Sequence, residues 1–242
     1  MKILITGKNG QLGWELVNRA PANDVEVYAF DSGELDITDS LSVQDKFTMV
    51  QPDVVINTAA YTAVDKAESD NEGAFLVNEQ GAINLAQACK KFNARLLHVS
   101  TDFVFDGTKH SNFVKTMLRL MQEKPQLGVV SNQIGTPTYA AGLADWLWRV
   151  SDNNHVKGLY HWTDAGVASW YDFAVAIQEL ALEKGILKNE IPVRPIYAEQ
   201  YPTPAKRPAF SVIDKTSAEK DSGLQTTHWR KQLSVMLDKL AK

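Results

Sequence analysis

Hydrophobic positions along the first hundred residues switch repeatedly between short β-rich runs and helical stripes. Lys2-Ile3-Leu4-Ile5-Thr6 is an apolar run rich in branched side chains, and the pattern QLGWELVNRA, from Gln11, has the spacing of a helix. Residues 25–30 (VEVYAF) form a second β-rich run, and Asp39 or Ser40 is placed to cap a helix over 41–50. Pro52-Asp53 punctuates before Val54-Val55-Ile56-Asn57, a continuous apolar run of the kind buried on both faces of a parallel sheet. A long helical pattern covers 71–92, interrupted by Gly73 and Gly81, and residues 95–100 (RLLHVS) make a fourth strand. The order βαβαβαβ predicts an α/β fold with a doubly wound parallel, Rossmann-type sheet.

Further along, Phe113, Met117, Leu120 and Met121 recur at helical spacing, which predicts core or subunit-interface packing for a helix over 113–123. A strand is expected over 127–130, a turn over 134–137 and a helix over 141–150. Beyond Ser151-Asp152-Asn153-Asn154 the composition shifts towards aromatics and proline, so a smaller C-terminal α/β domain is expected from 155 to 242. In it, 159–162 (LYHW) reads as a strand, Ser169 as the N-cap of a helix over 170–184, and 227–242 as an amphipathic closing helix.

Composition narrows the function classes. The 25 basic and 29 acidic residues leave a net charge of -4, with no block of five or more Lys/Arg, so nothing electrostatic points to nucleic acid or an anionic membrane. No apolar run approaches the length of a bilayer span, and the N-terminus leads straight into a strand without a signal-peptide pattern; a cytoplasmic protein is expected. The single cysteine, Cys89, excludes an internal disulfide and a Cys-based zinc site, and reads as helix packing. His98, His110, His155, His161 and His228 show no metal-ligand spacing, so no metal site is assigned.

Candidate chemistry gathers at the strand ends. Gly7, Gly10 and Gly13 lie between the first strand and the first helix, where glycines let the backbone approach a pyrophosphate held by the helix N-terminus; an ordinary tight turn is the alternative. Asp31, at the end of the second strand, could accept hydrogen bonds from an adenosine ribose, would meet a 2′-phosphate as a like charge, or could simply form a turn. Asp36 serves either the adenine side or local turn formation. Thr58, Ala59 and Ala60 are small residues at a carboxyl strand edge, either for cofactor approach or for a tight loop. Asn78 needs partners if buried and none if exposed. Ser100, Thr101 and Asp102 bring hydroxyls and a carboxylate to the same edge, or open a loop.

The blocks Gly7-x-x-Gly10-x-x-Gly13, Asn57 to Glu68 (NTAAYTAVDKAE), Ser100-Thr101-Asp102, NFVKTMLRLMQ, NQIGTPTYA, GLYHWTDAG, SWYDFA and YPTPAKRPAFS together resemble the extended short-chain dehydrogenase/reductases, and within them the dTDP-4-dehydrorhamnose reductase branch. The resemblance implies a Rossmann domain for NAD(P) over 1–154, a substrate domain over 155–242, and reduction of the C4 keto group of dTDP-4-dehydro-β-L-rhamnose by NADPH or NADH. Gly7, Gly10, Gln11, Leu12 and Gly13 would cradle the pyrophosphate, and Asp31, Asp36 and Ile37 would lie along the adenosine half. Ala59, Ala60, Tyr61, Thr62, Asn78 and Ser100 would line the rest of the cofactor. Val64, Thr101, Asp102 and Arg207 would meet the nucleotide-sugar substrate, with Thr101 polarising the C4 carbonyl and Arg207 facing the diphosphate. The resemblance also allows a homodimer and, as in some family members, Mg²⁺ at an interface.

One departure cuts across it. The family's Tyr-x-x-x-Lys pair, the proton donor and its partner, has no match, because no Tyr here is followed four residues later by Lys. Phe105-Asp106-Gly107-Thr108-Lys109-His110 runs into Ser111-Asn112-Phe113 where the family has a loop, the catalytic helix and a fifth strand. A block of about 40–50 residues, one βαβ unit in size, is missing between His110 and Ser111. Loss of an internal strand and its helix exposes apolar faces and unpaired ladder groups, which argues for an intact protein that carries the block. If the block is truly absent, the alternative is a non-catalytic NAD(P)-binding regulatory subunit of the same fold.

Overall fold

The four apolar runs of the first hundred residues assemble into one parallel sheet. In the computed structural model, which describes residues 1–22, 25–100, 104–105 and 112–241, β1 (Lys2–Thr6) lies between β2 (Glu26–Phe30) and β3 (Val54–Asn57), and β3 pairs with β4 (Arg95–His98). All three pairings are parallel, with Ile3 opposite Val27 on one side and Val54 on the other. The order β2-β1-β3-β4 requires a crossover after every strand, and helices supply them: α1 (Gln11–Asn18), α2 (Ser40–Val50) and a helical run through α3 (Val64–Ala67), α4 (Asn71–Phe75), a π-helical turn (Leu76–Gln80) and α5 (Gly81–Phe92). This is the doubly wound arrangement expected from the alternating pattern.

Strand alternation sends the two halves of each apolar run to opposite sheet faces. Leu4 and Val55 pack with Val43 and Phe47 of α2 and Leu85, Ala88 and Cys89 of α5. Phe47 and Phe92 close this layer with ring centroids 5.5 Å apart. Cys89 is buried, and desolvation pushes its thiol up to about 12, so it is an inert packing group. Ile3, Ile5 and Ile56, on the other face, are fully buried with Leu16 of α1.

The chain divides into two units, residues 1–101 with 144–155, and residues 102–143 with 156–242. Residues 102–143 thus group with the C-terminal residues, whereas the sequence division runs at 154/155. The segment 144–155 returns to the first unit, where the Trp148 indole donates to the Leu16 carbonyl at 3.1 Å and Arg95 donates to the Val150 carbonyl at 2.6 Å.

The second unit has short strands and a helical core. β5 (Val104–Phe105) pairs with β8 (Thr138–Tyr139), β6 (Leu127–Val130) with β10 (Val193–Ile196), and β7 (Ile134–Gly135) lies between β11 (Phe210–Ser211) and the antiparallel β9 (Ala168–Ser169). Met117 and Met121 of α6 (Phe113–Glu123), Phe173 and Ile177 of α8 (Trp170–Glu183), and Leu233 and Met236 of α10 (Trp229–Leu240) form its core. Helix α7 (Ala140–Ser151) links the units along the chain, and α9 (Thr216–Ser222) precedes α10. Phe113 stacks on Phe173 at 5.6 Å, so the helical spacing expected for α6 is core packing within this unit. Ser169 caps α8 in a reciprocal capping box with Asp172, as its position suggested. Residues 159–162 do not form the expected strand. Leu159 is 84% exposed and Tyr160 turns its hydroxyl to Asp221 at 2.8 Å, so the apolar run serves separate contacts.

Candidate functional site

The turn from β1 to α1 is built around backbone approach. Gly7 has φ +73°, a conformation that L side chains rarely adopt, and a Cβ there would stand 2.9 Å from the Ala59 nitrogen. A Cβ on Gly13 would lie 2.2 Å from the Gly7 carbonyl oxygen, inside van der Waals contact, so the first turn of α1 can seat on the loop only as glycine. Gly10 donates to the Gly7 carbonyl at 2.8 Å and is the N-cap of α1, with no side chain capping it and no acidic residue in the first turn. The first amides of the helix are left to an anion from outside, and the glycines leave room for it; this combination fits a dinucleotide pyrophosphate. Gln11 is half-buried, and Leu12 is buried beneath the turn.

A polar network ties the strand ends together beneath this turn. The fully buried Asn57 accepts from the Thr6 hydroxyl and from the Ala59 amide at 3.1 Å, and its amide nitrogen lies 2.8 Å from His98 Nδ1. Thr58 donates to the Thr6 carbonyl at 2.7 Å. Partial desolvation holds the His98 imidazole below its ordinary pKa, so a neutral ring accepting from Asn57 is favoured. Thr6, Asn57 and His98 therefore lock the carboxyl ends of β1, β3 and β4 in register. Asn57 carried a signal that sequence reasoning passed over: a polar residue closing a run buried on both faces must have found partners.

The loop after β3 is anchored by the π-helical turn. The exposed Asn78 accepts from the Tyr61 amide at 2.8 Å and donates to the Tyr61 carbonyl at 3.1 Å, satisfying both backbone groups at once. Tyr61 donates its hydroxyl to Asp70 at 3.0 Å, and Asp70 also caps α4 through the Gly73 amide. Burial and the bond to Asp70 raise the Tyr61 phenol above its ordinary value; the same bond holds the Asp70 carboxyl low. Ala59 is half-buried, whereas Ala60, Thr62 and Ser100 are exposed, and Val64 is 45% exposed.

On the adenosine side, Asp31 accepts from the Gly33 and Glu34 amides at 3.0 and 3.2 Å and from the Asn9 side chain at 2.9 Å. Asp36 turns its carboxylate to the Thr38 amide and hydroxyl at 2.9 and 2.8 Å. The Ile37 side chain is buried against Gly81, where an added Cβ would come within 2.6 Å of it, so its side chain serves packing. Thr101 and Asp102 lie outside the described residues. Arg207, in the second unit, donates to the Thr203 hydroxyl at 2.5 Å and to the Ala205 carbonyl at 3.0 Å, bracing its own proline-rich loop. Among the described residues no group of three or more His, Cys, Asp or Glu side chains is arranged to hold a metal ion.

The family described as the RmlD substrate binding domain matches residues 1–112 and 109–242. The chain belongs to this family. A relative from Aggregatibacter actinomycetemcomitans, dTDP-4-dehydrorhamnose reductase, is 37% identical over 96% of this chain and 97% of its own. A solved dTDP-4-dehydrorhamnose reductase from Clostridium acetobutylicum superposes with a TM-score of 0.91 at 36% identity, covering 100% of both chains. The reductase from Bacillus anthracis, solved in complex with NADP, gives 0.89 at 28% identity over 98% of this RmlD-family chain and 99% of its own. The first of these alignments runs over 284 positions against 242 residues here, so at least 42 of its positions hold no residue of this chain. The two family matches meet at 109–112, where the sequence lacks a βαβ-sized block.

Proposed function

We propose that the chain reduces the C4 keto group of dTDP-4-dehydro-β-L-rhamnose to dTDP-L-rhamnose with NADPH or NADH, as a cytoplasmic step of dTDP-rhamnose biosynthesis. The single observation that carries this is the 37% identity to a reductase of that name over nearly the whole of both chains. The dinucleotide supplies the hydride. Gly7, Gly10, Gln11, Leu12 and Gly13 hold its pyrophosphate; Asp31, Asp36 and Ile37 follow the adenosine half; Ala59, Ala60, Tyr61, Thr62, Asn78 and Ser100 border the rest. Val64, Thr101, Asp102 and Arg207 bind the sugar nucleotide, and Thr101 orients its carbonyl. The planar fork of Arg207 suits a diphosphate.

Hydride delivery leaves a negative oxygen that needs a proton, and this chain has no Tyr-x-x-x-Lys pair to give it. Loss of a positioned general acid costs about 10²–10⁴-fold in rate. Full turnover therefore needs the block missing between His110 and Ser111, in which the intact protein carries the donor and its partner. The second reading, a non-catalytic NAD(P)-binding regulatory subunit, is favoured by the same missing pair and by the 42 or more unmatched alignment positions. Oxidation of NADPH or NADH by the pure chain, with and without the sugar nucleotide, separates the two: sugar-dependent oxidation supports the reductase, and binding of both ligands without oxidation supports the subunit.

A further inference from the structure

Asn9 and Gly10 are the only Asn-Gly pair in the sequence, and they lie in the turn between β1 and α1. Both are exposed. In such a pair the backbone nitrogen that follows asparagine is one five-membered ring away from the side-chain carbonyl carbon. Glycine has no Cβ to shield that nitrogen, so ring closure is easier here than at any other asparagine of the chain. The Gly10 nitrogen bonds to Asn9 Cγ, the Cγ–Nδ2 bond breaks, and the amide proton passes through solvent to the departing ammonia. Water then opens the succinimide at one of its two carbonyl carbons. The product is aspartate or, with the chain rerouted through the side-chain carbon, isoaspartate, and only water is consumed.

The folded turn holds both reacting groups apart from this reaction. The Gly10 nitrogen donates to the Gly7 carbonyl at 2.8 Å, and the Asn9 side-chain nitrogen donates to Asp31 at 2.9 Å. Ring closure requires both hydrogen bonds to open, so the rate follows the opening of the turn. The products damage what the turn does. A carboxylate at position 9 is ionised at neutral pH and has no donor for Asp31, whose oxygens are already fixed by the Gly33 and Glu34 amides. Two like charges then face each other where a hydrogen bond stood. The new charge also sits one residue before Gly10, the N-cap of α1, whose first turn carries no acidic residue and leaves its amides to an outside anion. Isoaspartate adds a methylene to the backbone between the Asn9 Cα and the Gly10 nitrogen, which the bond from Gly10 to Gly7 does not accommodate.

We propose that Asn9-Gly10 is a deamidation site at which the ageing protein loses its dinucleotide affinity, and that bound dinucleotide slows the loss by holding the turn closed. The effect on affinity rests on the dinucleotide reading of the preceding subsection; the reaction at Asn9 does not.

The test is incubation of the intact protein in mildly alkaline buffer, with and without NADP⁺, beside a free peptide of residues 5–14. Peptide mapping by mass reads the change from amide to acid at Asn9, and isothermal titration of the recovered protein reads NADP⁺ and NAD⁺ binding. Acid is expected to accumulate at Asn9 in the free protein, several-fold more slowly with NADP⁺ bound, and the modified fraction to bind about tenfold or more weakly. Asn9→Asp, made directly, reproduces the weakened binding, and Asn9→Gln, which closes the ring far more slowly, keeps through the incubation whatever affinity it starts with. If Asn9→Gln fails to fold, the Asn9→Asp titration and the map decide. An amide retained at Asn9 while the peptide reacts overturns the proposal. Acid at Asn9 with unchanged affinity overturns it too and leaves the cofactor reading standing. Fresh protein that binds neither dinucleotide overturns the cofactor reading and the proposed loss of affinity, and the map at Asn9 then still decides the reaction.

Discussion

At the scale of single residues, the decisive positions are those where a side chain is forbidden or a charge is buried. Gly13 is the clearest of the first kind. Gly13→Ala drives a Cβ against the Gly7 carbonyl and forces the turn to open, so dinucleotide affinity is expected to fall by more than about tenfold, with about 1–3 kcal/mol of stability lost, as measured by titration and urea unfolding. Asp164 is of the second kind. It is 1% exposed, accepts from the Tyr139 amide at 3.0 Å, and burial pushes its carboxyl up from 3.8 to about 7, against the opposing pull of the Tyr139 amide, Gln232 and Lys215. The native state therefore holds a proton that the unfolded chain releases near 3.8, and stability falls as pH rises from about 4 through 7. Asp164→Asn keeps the shape and removes the titration. Its melting temperature is expected to match that of the parent near pH 4 and to exceed it above pH 7; parallel curves across that range contradict the assignment. The glycines and Asp31 were legible in the sequence because their chemistry follows from spacing. Asp164 was not, since its role depends on burial and on partners 25 to 68 residues away.

At the scale of elements, the strands of the first unit were readable almost to the residue because continuous apolar runs have few other uses in a parallel sheet. The helix over 71–92 was legible as a helix, yet the π-helical turn at 76–80 was not: nothing in LVNEQ signals the extra residue per turn that lets Asn78 reach both backbone groups of Tyr61. Residues 159–162 show the converse failure, an apolar run with no sheet edge to join. A cap tests how much one such element matters. Ser169→Ala removes the capping box of α8, whose residues Phe173 and Ile177 sit in the core of the second unit. A loss of about 1 kcal/mol is expected, read as a lower urea midpoint at unchanged slope.

At the scale of the whole molecule, the chain keeps the family's two ends and lacks part of its middle. Among the described residues the parallel sheet has β4 at its edge, and the neighbouring helical run leaves Phe75, Leu76 and Ile83 at 64%, 49% and 40% exposure. Each half was recognisable from its motifs, and the block of about 40–50 residues missing between them in the sequence agrees with the 42 or more alignment positions that hold no residue of this chain. The most direct measurement is steady-state oxidation of NADPH and NADH by the purified intact protein, its mass determined first, in the presence of dTDP-4-dehydro-β-L-rhamnose. The account predicts a mass several kDa above 26.9 kDa and sugar-dependent oxidation of the dinucleotide; oxidation no faster than without the sugar, by folded intact protein with dinucleotide bound, would contradict it.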